Sequence, residues 1–420
     1  MFFEKYKIKN VSEINIDNYS KKENWSFINY LDTKNITNNK IIEIKFLNPL
    51  TDKIPSRAKR KIKENDIIIS TVRPNQKHYG IIEDKPTNLL VSTGFTTLRA
   101  KENYVLSKYL YYLITQDKVT KKLQTIAEQS TTSYPSIKTS DIENINIELP
   151  SIKIQKQIIS IINSIEKQVI KLRKINQNLE DQITTIFKNW FVNFNFLNNL
   201  NELYSNSGVF KDSELGKIPV DWSIDFLGSK KVSSIINSGI KDFEGSKIYL
   251  ATADVENSSI VDNNNLITID KKPSRANMQP IPKSIWFAKM KDSRKLIKVD
   301  EYSKDLINNY IFSTGFCGLS CNDNAFYYLW SFILSKAFDE MKNVYCNGTT
   351  MQAINNTNVK NIKFILPDEK TLLKFNQIVF PLFKQIDINN KEIEKLTAIR
   401  DILLPKLMSG EIDVSQIEVE

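Results

Sequence analysis

Histidine is almost missing from this sequence: His78 is the single one among 420 residues. That leaves no material for imidazole metal cages or Ser-His-Asp catalysis. Cysteine is nearly as scarce. Cys317, Cys321 and Cys346 make an odd count in a long chain, which reads as reduced thiols rather than a disulfide framework. Cys317-x-x-x-Cys321 lacks a second ligand pair apart from the distant Cys346, so no metal site is expected. No apolar run reaches the ~18 residues of a membrane span. The start, Met1-Phe2-Phe3-Glu4-Lys5, has neither an apolar signal core nor a small-residue cleavage site, and a cytoplasmic location is expected. Gly239 to Lys247 lacks the G-x-x-x-x-G-K-[ST] spacing of a phosphate loop, and no Asn-Pro-Pro-aromatic motif of methyltransferase type is present. Pro367-Asp368-Glu369-Lys370 holds acid and lysine as a nuclease site would, but at a helix start it reads as a cap.

Acid is also outnumbered by base. Lys and Arg total 58 against 48 Asp and Glu, giving a net charge of +10 and a pI near 9.1. A polyanionic partner is favoured, nucleic acid above all. The length suits two or three domains.

What the chain does contain, it contains twice. Pro55-Ser56-Arg57-Ala58 returns as Pro273-Ser274-Arg275-Ala276, Ser92-Thr93-Gly94-Phe95 as Ser313-Thr314-Gly315-Phe316, and Leu149-Pro150 as Leu366-Pro367. The offsets 273−55, 313−92 and 366−149 are 218, 221 and 217, far longer than solenoid repeats. A duplicated half-molecule is implied. In the first half, Tyr6–Ile16 reads as an edge segment. Asp66–Val72 and Leu89–Leu98 read as buried strands, Gly94 marking a bulge or close backbone approach. Leu106–Ile126 reads as a helix, Glu128–Pro135 as a polar loop and Ile142–Leu149 as a strand. Asn195–Gly216 is a polar linker. The second half repeats the plan with strands at Ser284–Met290, Tyr310–Leu319 and Val359–Leu366, a helix over Asn324–Val344 and a polar loop at Cys346–Met351.

Each half closes with a long heptad seam. The first runs Ile158, Ile162, Ile165, Val169, Leu172, Asn176, Leu179, Ile183, Ile186 and Trp190. The second runs Phe375, Val379, Leu382, Ile386, Asn389, Ile393, Leu396, Arg400, Leu403 and Leu407. A helix over Ile152–Trp190 would be a rod of roughly 60 Å. Each seam holds one asparagine, which is least costly opposite another polar group. Setting Asn176 against Asn389 pairs the rods antiparallel, with residue numbers adding up to 565. Ile158 then meets Leu407, Leu172 meets Ile393, Ile186 meets Val379, and Trp190 meets Phe375. Ile165 meets Arg400, whose guanidinium can reach water. The duplication demands the same register, because it maps the first of these pairs onto the last. Pro381 is expected to kink the second rod and Pro405 to end or bend it, with a stop at Leu404–Gly410. The fold class expected is α+β: two α/β domains related by a pseudo-twofold axis and joined by two long helices in an antiparallel coiled coil. Two heads held a fixed distance apart in a chain that is basic overall suit two half-sites on duplex DNA.

These residues resemble the specificity (S) subunit family of type I restriction-modification systems. The likeness is carried by Leu149-Pro150 running into Gln155-Lys156-Gln157-Ile158, and by Phe187-x-x-Trp190-Phe191-Val192-x-Phe194. It is carried too by Gly216-Lys217-Ile218-Pro219-x-x-Trp222 and by Arg400-Asp401-x-Leu403-Leu404-Pro405-Lys406-Leu407-Met408-Ser409-Gly410-Glu411-Ile412. The chain departs from the family pattern where its N-terminus lacks the Ile-Pro-x-x-Trp opening, and where the second rod starts Asp368-Glu369-Lys370-Thr371 without a Glu-Gln pair. The resemblance implies target-recognition domains at 1–150 and 198–367, and helical regions at 151–197 and 368–420. Each recognition domain would read half of a bipartite double-stranded DNA site, the helices setting the gap. The partners implied are two modification (methyltransferase) subunits carrying S-adenosylmethionine, and restriction subunits carrying ATP- and Mg-dependent machinery. The chain itself would hold no cofactor, no metal and no catalytic residue.

The DNA-binding candidates are basic and amide side chains near the repeated motifs. They are Arg57, Lys59, Arg60, Lys61, Arg73, Gln76, Lys77 and His78 in the first half. In the second they are Arg275, Asn277, Gln279, Lys289, Lys291, Arg294 and Lys295. Arginine can grip guanine, and asparagine or glutamine adenine, through two hydrogen bonds; lysine and most arginines meet phosphates, which position without specifying. Arg73 and Arg294 are the base-reading candidates. The loops Ser130-Thr131-Thr132-Ser133-Tyr134 and Asn347-Gly348-Thr349-Thr350 lie at equivalent places, to touch either DNA backbone or the rods. The alternatives are a DNA methyltransferase or nuclease with a cryptic site of its own, and a coiled-coil scaffold without DNA specificity.

Overall fold

The computed structural model describes residues 2–130, 134–197, 202–261, 263–349 and 351–416. The chain forms two compact units, residues 1–171 with 392–420, and residues 172–391.

In the first unit, strand Ile67–Ser70 lies between Phe95–Ala100 and Tyr79–Ile81, and Ser12–Ile14 borders Phe95–Ala100; all are antiparallel. A second sheet has the order Lys45–Leu47, Ile28–Leu31, Leu89–Ser92, Ala58–Lys61, with the middle pair parallel. Glu4–Lys7 pairs with Asn146–Leu149. Ile67 and Ile69 join a core with Leu98, Tyr109 and Leu110, while Ile68 joins Leu31, Val91 and Phe95 of the other cluster. A strand buried on both faces has no polar side to show, hence its unbroken apolar run.

The second unit repeats this plan strand for strand. Ser233–Ile235, Phe316–Cys321, Ser284–Ala288 and Leu296–Val299 form one antiparallel sheet. Leu266–Ile267, Lys247–Leu250, Tyr310–Ser313 and Ala276–Met278 form the other, again with the middle pair parallel. Ser223–Phe226 pairs with Lys363–Leu366. The bulge between Val91 and Ser92 has its counterpart between Ala276 and Met278.

Several expected elements are divided. Leu89–Leu98 and Tyr310–Leu319 are each two strands, and the Ser-Thr-Gly-Phe motif is the corner where the chain leaves one sheet for the other. The hydroxyls of Ser92 and Ser313 accept the amides of Gly94 and Gly315 at 3.2 and 3.1 Å. A Cβ on either glycine would sit 2.9 or 3.0 Å from Thr33 or Thr252 Cγ2, so a larger residue there would have to displace that threonine methyl. Leu106–Ile126 is two helices, Ser107–Ile114 and Asp117–Glu128, because Gln116 is extended at ψ 146 and starts a new helix. Its counterpart is likewise Phe326–Ile333 and Lys336–Val344. Tyr6–Ile16 contains a helical turn, Ile8–Val11, between two strands. Of the linker 195–216, residues 198–201 lie outside the described ones. Within it the Phe196 ring lies 5.2 Å from Trp222, as that of Phe194 just before it does at 5.7 Å, and Phe210–Ser213 pairs with Gly216–Pro219.

The long helices run Ile152–Phe191 and Glu369–Ser409. In the first unit Ile158 and Ile162 share a core with Leu407 and Met408. In the second, Ile183, Phe187 and Phe191 share one with Phe375, Val379 and Ile386, and the Trp190 and Phe375 rings are 6.0 Å apart. Numbers rise along one helix as they fall along the other, so within each unit the pair is antiparallel in the expected register. Asn389 Nδ2 donates to Asn176 Oδ1 at 2.7 Å, and Asn176 Nδ2 donates to Asn390 Oδ1 at 2.8 Å. Arg400 turns its guanidinium to Asp401.

Replacing Asn389 alone with leucine is expected to cost about 1–3 kcal/mol, because the Asn176 side-chain oxygen stays in the seam without its donor, even though its Nδ2 still donates to Asn390. Replacing both with leucine recovers most of that loss. A double-mutant cycle in urea checks the coupling; strictly additive losses would contradict it.

The second helix is not ended by proline. Helical structure continues through Pro381 and Pro405 to Ser409, and Gly410, at φ +78, ends it. Pro381, Pro405 and the residues four before them, Gln377 and Asp401, are all exposed. The carbonyls that lose an amide partner are therefore in reach of water, which lowers the penalty of an interior proline.

Candidate nucleic-acid interface

The two recurring tetrapeptides meet at the sheet-switching corner. Thr93 N–H donates to the Arg57 carbonyl at 2.9 Å, and Thr314 N–H to that of Arg275 at 2.9 Å. The same corner holds the loop that leaves the doubly buried strand: Gly94 O accepts Thr71 N–H, and Gly315 O accepts Lys289 N–H, both at 2.9 Å. A polar segment straps each loop. Ile137 N–H donates to Thr71 O and Arg73 N–H to Pro135 O; in the second unit, Ile354 N–H donates to Lys289 O and Lys291 N–H to Gln352 O. The polar loops after the paired helices thus continue into segments tied to the basic loops. Residues 131–133 and 350 lie outside the described ones.

A helix braces each loop from behind. Gln124 Oε1 accepts the Asn75 amide at 3.1 Å, and Asn343 Oδ1 the Asp292 amide at 3.0 Å. Lys77 pairs with Asp117 at 2.8 Å, and Arg294, the equivalent of Lys77, with Asp339. Lys342, 1% exposed, donates to the carbonyls of Ser293, Met290 and Ala288 at 2.7, 3.3 and 3.5 Å. Burial pushes its ammonium pKa down, against the pull of Asp339. Sequence reasoning did not single out Gln124, Lys342 or Asn343. The one available signal was an apolar-looking helix face, Phe338 to Lys342, that ends in a charge.

The candidates therefore divide. Arg57, Lys59, Arg275 and Lys291 are exposed, and none has a side-chain hydrogen bond or ion pair within the described residues. Lys289, Asn277 and Gln279 are half-buried. Arg73 sits with its guanidinium 4.8 Å from the Tyr134 ring centre, on a backbone at φ +49. His78 Nδ1 lies 2.6 Å from Ile36 O, and its Nε2 3.1 Å from Gln76 Oε1. Lys61 is held by Glu23 and Asp17, each at 3.1 Å. Lys295 donates to Val255 O at 2.7 Å. Arg294 is bound to Asp339 and to Leu334 O, bonds it must surrender to read a base. Arg60 is half-buried with no acceptor for Nε within the described residues, and burial lowers its pKa.

Other chemistry finds no assembly. Among the described residues no three His, Cys, Asp or Glu side chains gather as a metal cage needs. Burial pushes the Cys317 thiol up to about 12 and the Cys321 thiol up as well, so both pack as apolar groups. Asp368 caps the second long helix, accepting Thr371 N–H at 3.0 Å and Trp222 Nε1–H at 3.0 Å. Burial works against its charge, but these bonds and the Thr371 hydroxyl hold its pKa below the ordinary value. No helix of the described residues is long and apolar enough to cross a membrane.

The family model of the type I restriction modification DNA specificity domain matches this chain twice, over residues 3–181 and 231–398. The chain belongs to that family. Its two matches fall on the two copies of the plan above, each with most of one long helix. Among curated family members, the MjaIX specificity subunit of Methanocaldococcus jannaschii is 28% identical, covering 98% of this chain and 94% of its own. The HindI specificity subunit of Haemophilus influenzae is 22% identical, covering 91% and 94%. The solved S subunit of a type I restriction-modification system from M. genitalium aligns over 97% of this chain and 96% of its own, at 16% identity and a TM-score of 0.48.

Proposed function

We propose that this chain is the non-catalytic DNA-recognition subunit of a type I restriction-modification complex. Each head, residues 1–150 and 198–367, reads one half of a bipartite double-stranded DNA site. The helical pair sets the unread gap and docks two modification subunits, which restriction subunits join. S-adenosylmethionine, ATP and Mg belong to those partners, in the cytoplasm. The observation that supports this reading is the duplicated corner. The same backbone bonds gather Arg57 with the Thr71–His78 loop, and Arg275 with the Lys289–Lys295 loop. Both put exposed cations beside half-buried amide or arginine side chains, the mixture that phosphate contact and base readout require.

Binding of the assembled complex to duplex DNA at several salt concentrations tests it. Lys59→Ala and Lys291→Ala are expected to weaken binding on all sequences and make the salt slope shallower, by roughly one unit each. Arg73→Ala is expected to cost about 1–3 kcal/mol and relax preference at one base position. Variants that leave both affinity and salt slope unchanged would overturn the placement of DNA on these loops.

A further inference from the structure

We infer that Lys342 and Asn343 are positioning residues that fix the base-reading loop of the second head, and so set the stringency of one half-site alone. This rests on the reading of the heads as DNA-recognition domains.

The two bracing helices can be superposed by their starts, Asp117 and Lys336. The seventh residue is then Leu123 in the first and Lys342 in the second; the eighth is Gln124 and Asn343. Leu123 and Lys342 are both buried. Packing alone is satisfied by leucine, so the lysine contributes something besides volume. It is taken out of water with no carboxylate bonded to it among the described residues, and such a group persists only where its protons are bonded. Three backbone carbonyls of the loop, from Ala288, Met290 and Ser293, bond them. Asn343 adds a two-way clasp on Asp292, accepting its amide at 3.0 Å and donating to its carboxylate at 2.8 Å. The loop backbone from 288 to 293 is thereby held from inside, so Lys289 on it and the base-reading candidate Arg294 directly after it are carried on a fixed frame. The first head has the Gln124 bond to Asn75, with the buried Leu123 at the place of Lys342 and, among the described residues, no ammonium bonded to its loop carbonyls from beneath. Hydrogen bonds to bases require side chains placed to within a fraction of an ångström. Loosening the frame therefore removes discrimination and leaves general phosphate attraction in place.

The experiment uses the full chain assembled with its modification subunits and a pool of random-sequence duplexes. Selected duplexes are sequenced for wild type, Lys342→Met, Asn343→Ala and Gln124→Ala. The wild-type selection tests the DNA-recognition reading separately: if it enriches no motif, that reading fails whatever the variants do. Where wild type selects two blocks, Lys342→Met is expected to lose about tenfold or more in preference at bases of one block. The other block and the affinity for a duplex lacking the site stay as in wild type. Asn343→Ala weakens the same block, and Gln124→Ala the other. Should Lys342→Met fail to fold by circular dichroism, Asn343→Ala, which is half-buried, carries the test with the same outcomes. Unchanged preferences in a folded variant, or an equal loss in both blocks, would show these residues to be general structural supports and overturn the inference.

Discussion

Phe375→Ala is expected to lower the unfolding free energy of the second unit by about 3–5 kcal/mol. Phe375 is fully buried at the start of the second long helix. Its ring lies 4.9 Å from Phe191, 6.0 Å from Trp190, 6.4 Å from Phe187 and 6.5 Å from Tyr328. It therefore joins three things: the end of the first long helix, the start of the second and the helix Phe326–Ile333 of the head. Alanine leaves a cavity among aromatic rings that cannot collapse into it without breaking edge-to-face contacts. Four of the five tryptophans, Trp190, Trp222, Trp286 and Trp330, lie in this unit, so tryptophan fluorescence in urea reads the loss directly. A shift under about 1 kcal/mol, the scale of an exposed substitution, would mean that the ring is not a joint of the core.

Asp66→Ala should be nearly as costly, and in the other unit. Asp66 is almost fully buried and takes two bonds from Arg99, at 2.9 and 2.7 Å, plus the Lys63 amide at 2.6 Å. Removing one member of a buried pair strands the other, at about 3–5 kcal/mol. Arg99 keeps 20% side-chain exposure, and water reaching it places the loss at the low end, about 3 kcal/mol. The double change Asp66→Ala with Arg99→Met should recover much of it, because neither charge is then stranded. Hydrogen exchange at Ile67–Ser70 is the readout, and a single-variant loss no larger than that of the double variant would contradict the account. The second unit has Ser284 opposite Ser320 at these places. The duplication therefore kept the strands while this pair was free to change.

That contrast explains what could be read without coordinates. The seam was legible because burial in a narrow stripe forces a period, and Asn176 and Asn389 were legible because a polar group in that stripe must find another. The corner was visible as two repeated tetrapeptides, but not as one object, since its cement is backbone hydrogen bonding between segments about 36 residues apart, such as Arg57 to Thr93. The broken helices were missed because Gln116 is not a helix breaker by residue type, yet its backbone stands extended at ψ 146. Of the two outcomes expected at Pro405, an end or a bend, the end does not occur, although the stop lies inside the expected stretch Leu404–Gly410. An exposed proline interrupts hydrogen bonding where water replaces it, and the stop belongs to Gly410. At the candidate interface, composition identified cations but not their engagements. Lys61, Lys77, Arg294 and Lys295 are committed to acids or carbonyls, whereas Arg57, Lys59, Arg275 and Lys291 are exposed. Tertiary folding decides which of two like charges is spent internally, and no local pattern reports it.

The central claim is that one chain carries two DNA-reading heads of common origin. Genome-wide mapping of methylated adenines, in cells with and without the gene, tests it most directly. The account predicts a motif of two short specified blocks separated by a constant unspecified gap, methylated in both blocks and lost with the gene. Within it, Arg73→Ala relaxes one block and Lys342→Met the other. A single uninterrupted motif, or methylation that persists unchanged without the gene, would contradict it.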